Sequence, residues 1–134
     1  MVLVDEITDQ IEAELQTLVE NSLAFFTWGT GDSNASKTDT GMDLAIPDPG
    51  ARVAIAWNWV GNIGTAEVVI HAPGSPLIYH PLTRLHEIGI YDNNADNTGF
   101  QFRANVHGLP LGLDSPYEYL KFIITVKVDF KQTY

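Results

Sequence analysis

The sequence predicts a mainly β protein, an antiparallel β-sandwich or open barrel preceded by one N-terminal α-helix. Residues 117–131 alternate apolar and polar side chains over an unusual length, which is typical of a strand buried on one face. Shorter runs with the same alternation follow residue 52 and are separated by turn-forming residues. Only residues 5–23 carry apolar side chains at helical spacing, so the chain lacks the strand–helix alternation that builds a parallel sheet.

The 134 residues are predicted to form a single domain, which is large enough to bury a substantial core. Its parts are the helix over 5–23, a loop-rich segment over 24–51 and antiparallel strands over 52–134. The formal net charge of −10 argues against nucleic-acid and membrane partners, because phosphates and anionic lipids attract Lys and Arg. The chain contains no cysteine, so neither a disulfide bond nor a thiolate site can form.

The helical segment presents one apolar stripe, which is made by Ile7, Ile11, Leu15, Leu18 and Val19. Acidic side chains in its first turn favour the positive end of the helix dipole. Two interpretations of the stripe remain open: the helix packs on the sheet of its own chain, or it packs against a neighbouring subunit. The apolar run over 23–28 either finishes the helix or begins a strand, because its periodicity fits both.

Residues 52–60 are predicted to form one strand whose shared face holds Val53, Ile55, Trp57 and Trp59. Residues 61–64 are predicted to be a four-residue hairpin connection to a return strand over 65–71. The inward-facing residues of that return strand are Ala66, Val68 and Ile70.

Two further strands are predicted over 83–92 and 100–107, joined by a loop of turn-forming residues. The last strand, over 117–131, is predicted to be the longest and to be the central ladder partner of the others. Its inward face is made by Leu120, Phe122, Ile124, Val126, Val128 and Phe130. This strand specifies a fold and carries no chemistry.

The four histidines are His71, His80, His86 and His107. No two are closer than six residues, whereas zinc sites favour close pairs on one element, so we predict no bound metal and no cofactor. A metal held by His71 and His80, which flank a turn, is the alternative. The stretch Asp92–Asp96 has oxygen-bearing side chains at alternate positions, as a calcium loop does. The position of the closing glutamate holds Arg103, so a plain hairpin loop is favoured and calcium binding is left open.

Glu87 lies within an otherwise apolar strand, where a carboxylate is either a catalytic acid or the partner of a nearby arginine. No second carboxylate stands at a suitable spacing, and no nucleophile elbow with a Ser-His-Asp order is present, so we predict that the protein is not an enzyme. The three tryptophans could form a sugar-stacking platform. Trp57 and Trp59 share an inward face of their strand, which favours a place in the core instead.

Two stretches resemble a pattern found in small structural proteins of tailed viruses. The first is Trp28-Gly-Thr-Gly31, followed by a polar loop into Asp39-Thr40 and Leu44. The second is Leu85-His-Glu-Ile-Gly-Ile-Tyr-Asp92, then Phe102-Arg103-Ala104 and the long final strand. It is similar to the Glu-(Ile/Val)-Gly-(Leu/Ile)-(Phe/Tyr)-Asp … Arg core of those proteins. They also open with a helix and end in an alternating strand, so the resemblance spans most of the chain, least over 46–80.

The resemblance implies a non-enzymatic building block of a virus particle, made in the host cytoplasm and located in or near the tail, baseplate or head-attached fibres. It implies that Glu87, Gly89, Asp92 and Arg103 are structural residues. Gly89 would permit close approach of another backbone, and Arg103 would pair with Glu87 or Asp92 across the hairpin. The implied partners are further copies of the chain and other virion proteins.

We expect a ring or trimer, because the apolar surface exceeds what a sandwich of this size encloses. The expected interface lies on the helix and the segment after it, with Ile7, Ile11, Leu15, Leu18, Phe25 and Phe26. The alternative function is a β-sandwich module that binds a ligand such as a carbohydrate. Tryptophans exposed beside an open groove would favour this alternative.

Overall fold

A computed structural model describes residues 5–45, 51–71, 83–95, 98–111 and 119–129, and these form one helix and seven strands. The helix is α1 (Asp5–Ser22). The strands are β1 (Phe25–Gly29), β2 (Val53–Ala54), β3 (Asn58–Val60), β4 (Ile63–His71), β5 (Thr83–Tyr91), β6 (Phe100–Leu111) and β7 (Tyr119–Lys127). The predicted mainly β class, with one N-terminal helix and antiparallel pairing, is confirmed.

The strands form two sheets, in both of which neighbouring strands run antiparallel. Sheet A has the order β2-β1-β5-β6, and sheet B has the order β3-β4-β7. The apolar faces of the two sheets meet, since the rings of Phe26 in sheet A and Phe122 in sheet B lie 5.3 Å apart between centroids. The protein is therefore a two-layer β-sandwich.

The core between the sheets receives a pair of side chains from each of three strands. Its buried members are Phe26 and Trp28 of β1, Val68 and Ile70 of β4, and Leu85 and Ile90 of β5. Burying one such side chain contributes about 1.5–3 kcal/mol to folding. The inward residues predicted for β4 are confirmed, because Ala66, Val68 and Ile70 are all at most 2% exposed.

The apolar run over 23–28 begins a strand, and that strand is internal to sheet A. The first residues of the segment 24–51, which was predicted to be loop-rich, therefore belong to the sheet. β1 pairs with β5 along its whole length, from Phe25 opposite Tyr91 to Gly29 opposite Glu87. The side chains of β1 are buried on both faces of the sheet, so they show no simple alternation.

The single strand predicted over 52–60 is broken into β2 in sheet A and β3 in sheet B. The predicted alternation persists across the break, with one set of side chains half-buried and the other exposed. The chain therefore changes sheets at this point while keeping one face inward. The connection between β3 and β4 is tighter than predicted, because Val60 pairs directly with Ile63. Gly61 in this turn has a φ of 60°, a conformation that favours glycine.

β7 differs from its prediction in length and in place. Its nine residues are fewer than the twelve of β6, and it pairs only with β4, at one edge of sheet B. The predicted face is confirmed over 120–129, where Lys121, Ile123 and Thr125 are exposed while their neighbours are half-buried or buried. An edge strand is covered on one side only, which explains why its inward residues are mostly half-buried. Phe130 lies outside the described residues.

Two register shifts between β5 and β6 decide which side chains face which way. Leu85 and Glu87 would share a face in a regular strand, but a shift lies between them. As a result Leu85 joins the apolar core whereas Glu87 lies on the other face of sheet A. The second shift, next to Tyr91, brings Phe100 edge-on to the Tyr91 ring with centroids 5.5 Å apart.

Helix α1 contacts sheet B through the C-terminal half of the helix. The Gln16 side chain donates to the Gly61 carbonyl at 2.7 Å, and the Trp59 ring N–H donates to the Glu20 carboxylate at 2.8 Å. The Trp57 ring N–H donates to the carbonyl of Leu23, just past the helix, at 2.8 Å. No side chain described in α1 is fully buried. Within the described parts of the chain, no helix could cross a lipid bilayer.

Candidate functional site

The outer face of sheet A carries a buried carboxylate, that of Glu87, which is 0% exposed. It accepts hydrogen bonds from three backbone N–H groups: Gly31 at 3.2 Å, Asp43 at 3.1 Å and Leu44 at 2.7 Å. All three donors belong to residues 30–45, here called the 30–45 loop, which leaves β1 and returns to it. The loop closes where Ala45 bridges to Gly29 and the Thr30 N–H donates to the Leu44 carbonyl. Glu87 therefore fastens both ends of this loop to sheet A.

Arg103 of β6 provides the opposite charge. Its Nε donates to the Glu87 carboxylate at 2.6 Å, so the pairing predicted across the hairpin is confirmed. The two terminal nitrogens reach the 30–45 loop, with Nη1 3.2 Å from the Asp39 carboxylate and Nη2 3.1 Å from the Asp43 carboxylate. Nη2 also donates to the Ser33 carbonyl at 2.7 Å. The planar, five-donor guanidinium thus joins a strand to three points of the loop.

Two glycines allow the loop to lie this close. A Cβ on Gly29 would collide with the Leu44 carbonyl oxygen and would lie 2.6 Å from a Glu87 oxygen. A Cβ on Gly31 would collide with Asp43 and would lie 2.7 Å from the same oxygen. Such separations are far inside van der Waals contact, so the Gly-Thr-Gly sequence is required by space rather than by backbone conformation.

A second group of contacts holds the far part of the loop. The Met42 N–H donates to the Tyr91 hydroxyl at 3.3 Å, and the Met42 side chain packs where a Cβ on Gly89 would stand. Arg52 lies over the Tyr91 ring, with its guanidinium carbon 3.8 Å from the ring centroid. The backbone approach predicted at Gly89 is therefore wrong, because the group that fills this space is the Met42 side chain.

The charges of the cluster stabilise one another. The pKa of the Asp39 carboxyl is lowered, mainly because the Ser36 N–H donates to it at 2.8 Å, with Arg103 adding to the effect against partial desolvation. Burial alone lowers the pKa of the Arg103 guanidinium, but its hydrogen bonds and charge contacts with Glu87 and Asp39 outweigh burial and raise it. Arg103 and Asp39 are consequently both ionised at neutral pH.

The cluster leaves little room for chemistry. Glu87 is enclosed by four donors, and Arg103 is committed to four acceptor residues. A catalytic acid must reach a substrate proton, and neither side chain is open to one. Among the residues that the structure describes, no group of three His, Asp or Glu side chains is arranged to hold a metal ion.

Several other predicted residues are placed differently from the sequence expectation. Asp92 was an alternative partner for Arg103, which is wrong: it is exposed, and its carboxylate accepts from the Asn93 amide at 2.9 Å. Phe26 was expected at a subunit interface, which is also wrong, because it is 0% exposed in the core. Phe25 is half-buried.

The helical interface residues divide into two pairs. Ile7 and Leu18 are 45% and 59% exposed, whereas Ile11 and Leu15 are half-buried. The histidine and calcium hypotheses cannot be placed fully, because His80, Asp96 and the side chains of His71 and His107 lie outside the described residues. His86 is half-buried in β5.

The tryptophans do not form an open platform. Trp28 is 0% exposed. Trp57 and Trp59 stack with centroids 6.2 Å apart, and both ring N–H groups are bonded within the chain. The open pocket beside the cluster, of about 520 Å³, is lined instead by residues 35–37, Asp39 and residues 100–103.

The sequence did not reveal the loop residues that complete the cluster, namely Ser33, Asp39 and Asp43 acting on Arg103. The sequence did contain a signal. A carboxylate and an arginine on neighbouring strands need hydrogen-bond partners when they are buried, and a polar loop that starts at two glycines can lie close enough to supply them. Comparisons with known proteins add no family to this picture. No protein-family model, curated protein or solved structure matches the chain significantly.

Proposed function

We propose that the chain is a non-enzymatic structural protein of a tailed virus particle, where it forms a homo-oligomer and links other virion components. One observation carries the proposal. Each stretch on which the viral resemblance rests contributes a residue to the cover of sheet A, although these residues are distant in sequence: Gly31, Asp39, Leu44, Glu87 and Arg103. The short motifs therefore meet at the Glu87–Arg103 ion pair and its covering loop. This is expected if the motifs maintain a shared fold rather than a catalytic site.

The chemistry of the cluster favours a building block over a catalyst. Its charged groups form bonds that hold a loop in place. Removing either partner of such a buried pair strongly lowers the free energy of unfolding. The same bonds give the domain a rigid face, which suits a particle component that must keep its shape. Domains that expose apolar surface to solvent are typical of proteins that assemble with others.

The surface proposed for contacts between copies is the outer face of sheet B. It exposes Val60, Ile63 and Ile123, of which Val60 is 75% and Ile123 is 64% exposed. Ile123 lies opposite Glu67 in the ladder, and Lys121 forms an exposed 3.5 Å ion pair with that glutamate. A surface that has apolar residues and both signs of charge can pack against the same surface of a second copy without strong repulsion between like charges.

The proposal is tested on purified particles of the virus that encodes the chain. Quantitative mass spectrometry of gradient-purified virions should find the protein in multiple copies per particle. Antibodies raised against the purified protein should label one discrete location by immunogold electron microscopy. Abundant protein in infected cells combined with its absence from intact and disrupted particles would contradict the proposal.

A carbohydrate-binding module is the second candidate, and one observation favours it. The pocket beside the cluster has a volume in the range of small-ligand sites, and Phe102 at its edge is 45% exposed. Phe102 could stack on a sugar ring, with Ser36 and Gln101 as hydrogen-bonding neighbours. Asp39 and Arg103, also in the lining, are already bonded to each other, which weakens this candidate. Glycan-array binding that is lost in Phe102→Ala would establish it.

A further inference from the structure

Helix α1 carries charge of one sign only. Its acidic residues are Asp5, Glu6, Asp9, Glu12, Glu14 and Glu20, and it contains no Lys or Arg. These six carboxylates are more than half of the chain's formal net charge of −10, although the helix is 18 residues long. Carboxylates in the first turn favour the helix dipole, but those near the end, such as Glu20, do not. The helix's own stability therefore does not explain its charge.

The ion pairs of the fold do not explain it either. Within the described residues, the salt bridges are made by Arg103, Lys121 and Lys127, and none of them reaches a carboxylate of α1. Glu20 accepts from the Trp59 ring, which neutralises no charge. The helix thus presents a strong negative potential to its surroundings.

The apolar stripe of α1 is wider than the face with which the helix packs. The half-buried side chains of the stripe, Ile11, Leu15 and Val19, mark the side that faces the domain. Ile7 and Leu18 are 45% and 59% exposed at the border of the stripe, and the exposed Glu14 lies between them in sequence and on the same side of the helix. An exposed apolar border next to a carboxylate, on a helix that carries only negative charge, has the composition of an amphipathic docking surface.

We infer that this border of α1 docks a partner protein that offers an apolar groove rimmed by Lys and Arg. The inference rests on the proposed adaptor function and names the chemistry of its heterologous partner. A second copy of the chain fits less well, because two such helices would bring like charges together with no cation between them. Contacts between copies are then left to the outer face of sheet B, whose charges are mixed.

The test uses the full chain and a defined probe. The probe is an 18-residue amphipathic helical peptide of leucine and lysine, labelled for fluorescence anisotropy, and its counterpart replaces each lysine by glutamate. We expect the lysine peptide to bind and the glutamate peptide not to bind. Raising the salt concentration should weaken the binding, because exposed charge contacts are screened.

Two variants separate docking from general attraction of a basic peptide. Ile7→Ser combined with Leu18→Ser should raise the Kd about tenfold, since each removes an exposed apolar contact without changing the charge. Ile123→Ser is the matched control, because it removes an equally exposed side chain from sheet B and should leave the Kd unchanged. Both proteins should still unfold in one cooperative transition.

Two results would overturn the inference. The first is equal binding of the lysine peptide to wild type and to the Ile7→Ser, Leu18→Ser protein, which would leave only non-specific attraction. The second is dissociation of an oligomer by the same double substitution, which would assign the helix to a second copy. Neither result bears on whether the protein is present in virus particles, so failure here is distinguishable from failure of the proposed function.

Discussion

The outer faces of the two sheets are both formed by antiparallel strands, but they differ in solvent exposure. On sheet A, Glu87 is 0% and Arg103 is 7% exposed beneath the 30–45 loop. On sheet B, Ile123 is 64% and Val60 is 75% exposed. An ion pair has been buried on one sheet and large apolar side chains have been left exposed on the other, which is the reverse of the usual arrangement.

The difference in exposure follows from the contacts that each face can make with other segments of the same chain. Sheet A offers an ion pair that bonds to backbone N–H groups and side chains of a loop, so the covering loop supplies partners to both buried charges. Sheet B offers apolar side chains that no described segment of the chain covers. We interpret the first face as internal structure and the second as surface reserved for assembly, and four experiments sharpen or break this distinction.

The largest effect is expected from Arg103→Met. Removing the guanidinium leaves the Glu87 carboxylate buried beside no cation, so the free energy of unfolding should fall by about 3–5 kcal/mol. The matched change on sheet B is Lys121→Met, which breaks an ion pair whose side chains are 40% and 58% exposed. That change should cost less than about 1 kcal/mol. Urea unfolding compares the two, and similar losses would contradict the assigned difference between the faces.

The next effect tests the space beneath the loop. In Gly31→Ala the new Cβ would collide with Asp43 and crowd a Glu87 oxygen, so we expect a loss of about 1–3 kcal/mol. Gly41→Ala is the control in the same loop, because its Cβ would meet only the Tyr91 hydroxyl at 3.6 Å, an ordinary contact. It should change stability by less than about 0.5 kcal/mol. If both variants melt like wild type, the loop is not held as closely as described.

A smaller effect is expected from pH. The pKa of Asp39 is lower in the folded protein than its unfolded value of about 3.9, so its contribution to stability is present above that pH. The contribution is lost as the pH falls through the folded pKa. The stability difference between wild type and Asp39→Asn should therefore be largest near neutral pH and shrink on acidification below about pH 4. A difference that grows on acidification would have the wrong sign.

The smallest effect on folding is expected from Ile123→Ser. The side chain is mostly exposed, so the free energy of unfolding of the single chain should change by less than about 0.5 kcal/mol. A buried residue of the same sheet gives the contrast, since Val68 is 1% exposed and Val68→Ser should be strongly destabilising. An equal loss from the two changes would mean that Ile123 is covered within its own chain.

The strands that the sequence predicted well are those whose pattern is set by local geometry. In β4 every second residue is inward, and a period of two is visible without knowledge of any partner. The break between β2 and β3 was missed because the alternation continues across it, while the change of sheet depends on distant neighbours. Likewise, the internal place of β1 depends on β5, more than fifty residues away.

The candidate site shows the same division between local and distant information. Pairing of Glu87 with Arg103 was predictable, because both lie on strands of one hairpin. Nothing local indicated that Asp39 and Asp43 would reach Arg103, since the path of a loop is set by the bonds that it finally makes. The register shift after Leu85, which turns Glu87 away from the core, was equally hidden.

The proposal that copies of the chain meet through the outer face of sheet B is tested most directly by the mass of the protein in solution. Light scattering after size exclusion, at micromolar concentration, should give wild type a defined multiple of the 14.8 kDa chain mass. Ile123→Ser should shift the mass toward 14.8 kDa while the variant still unfolds in one cooperative transition. A wild-type protein that remains at 14.8 kDa throughout this range would contradict the account.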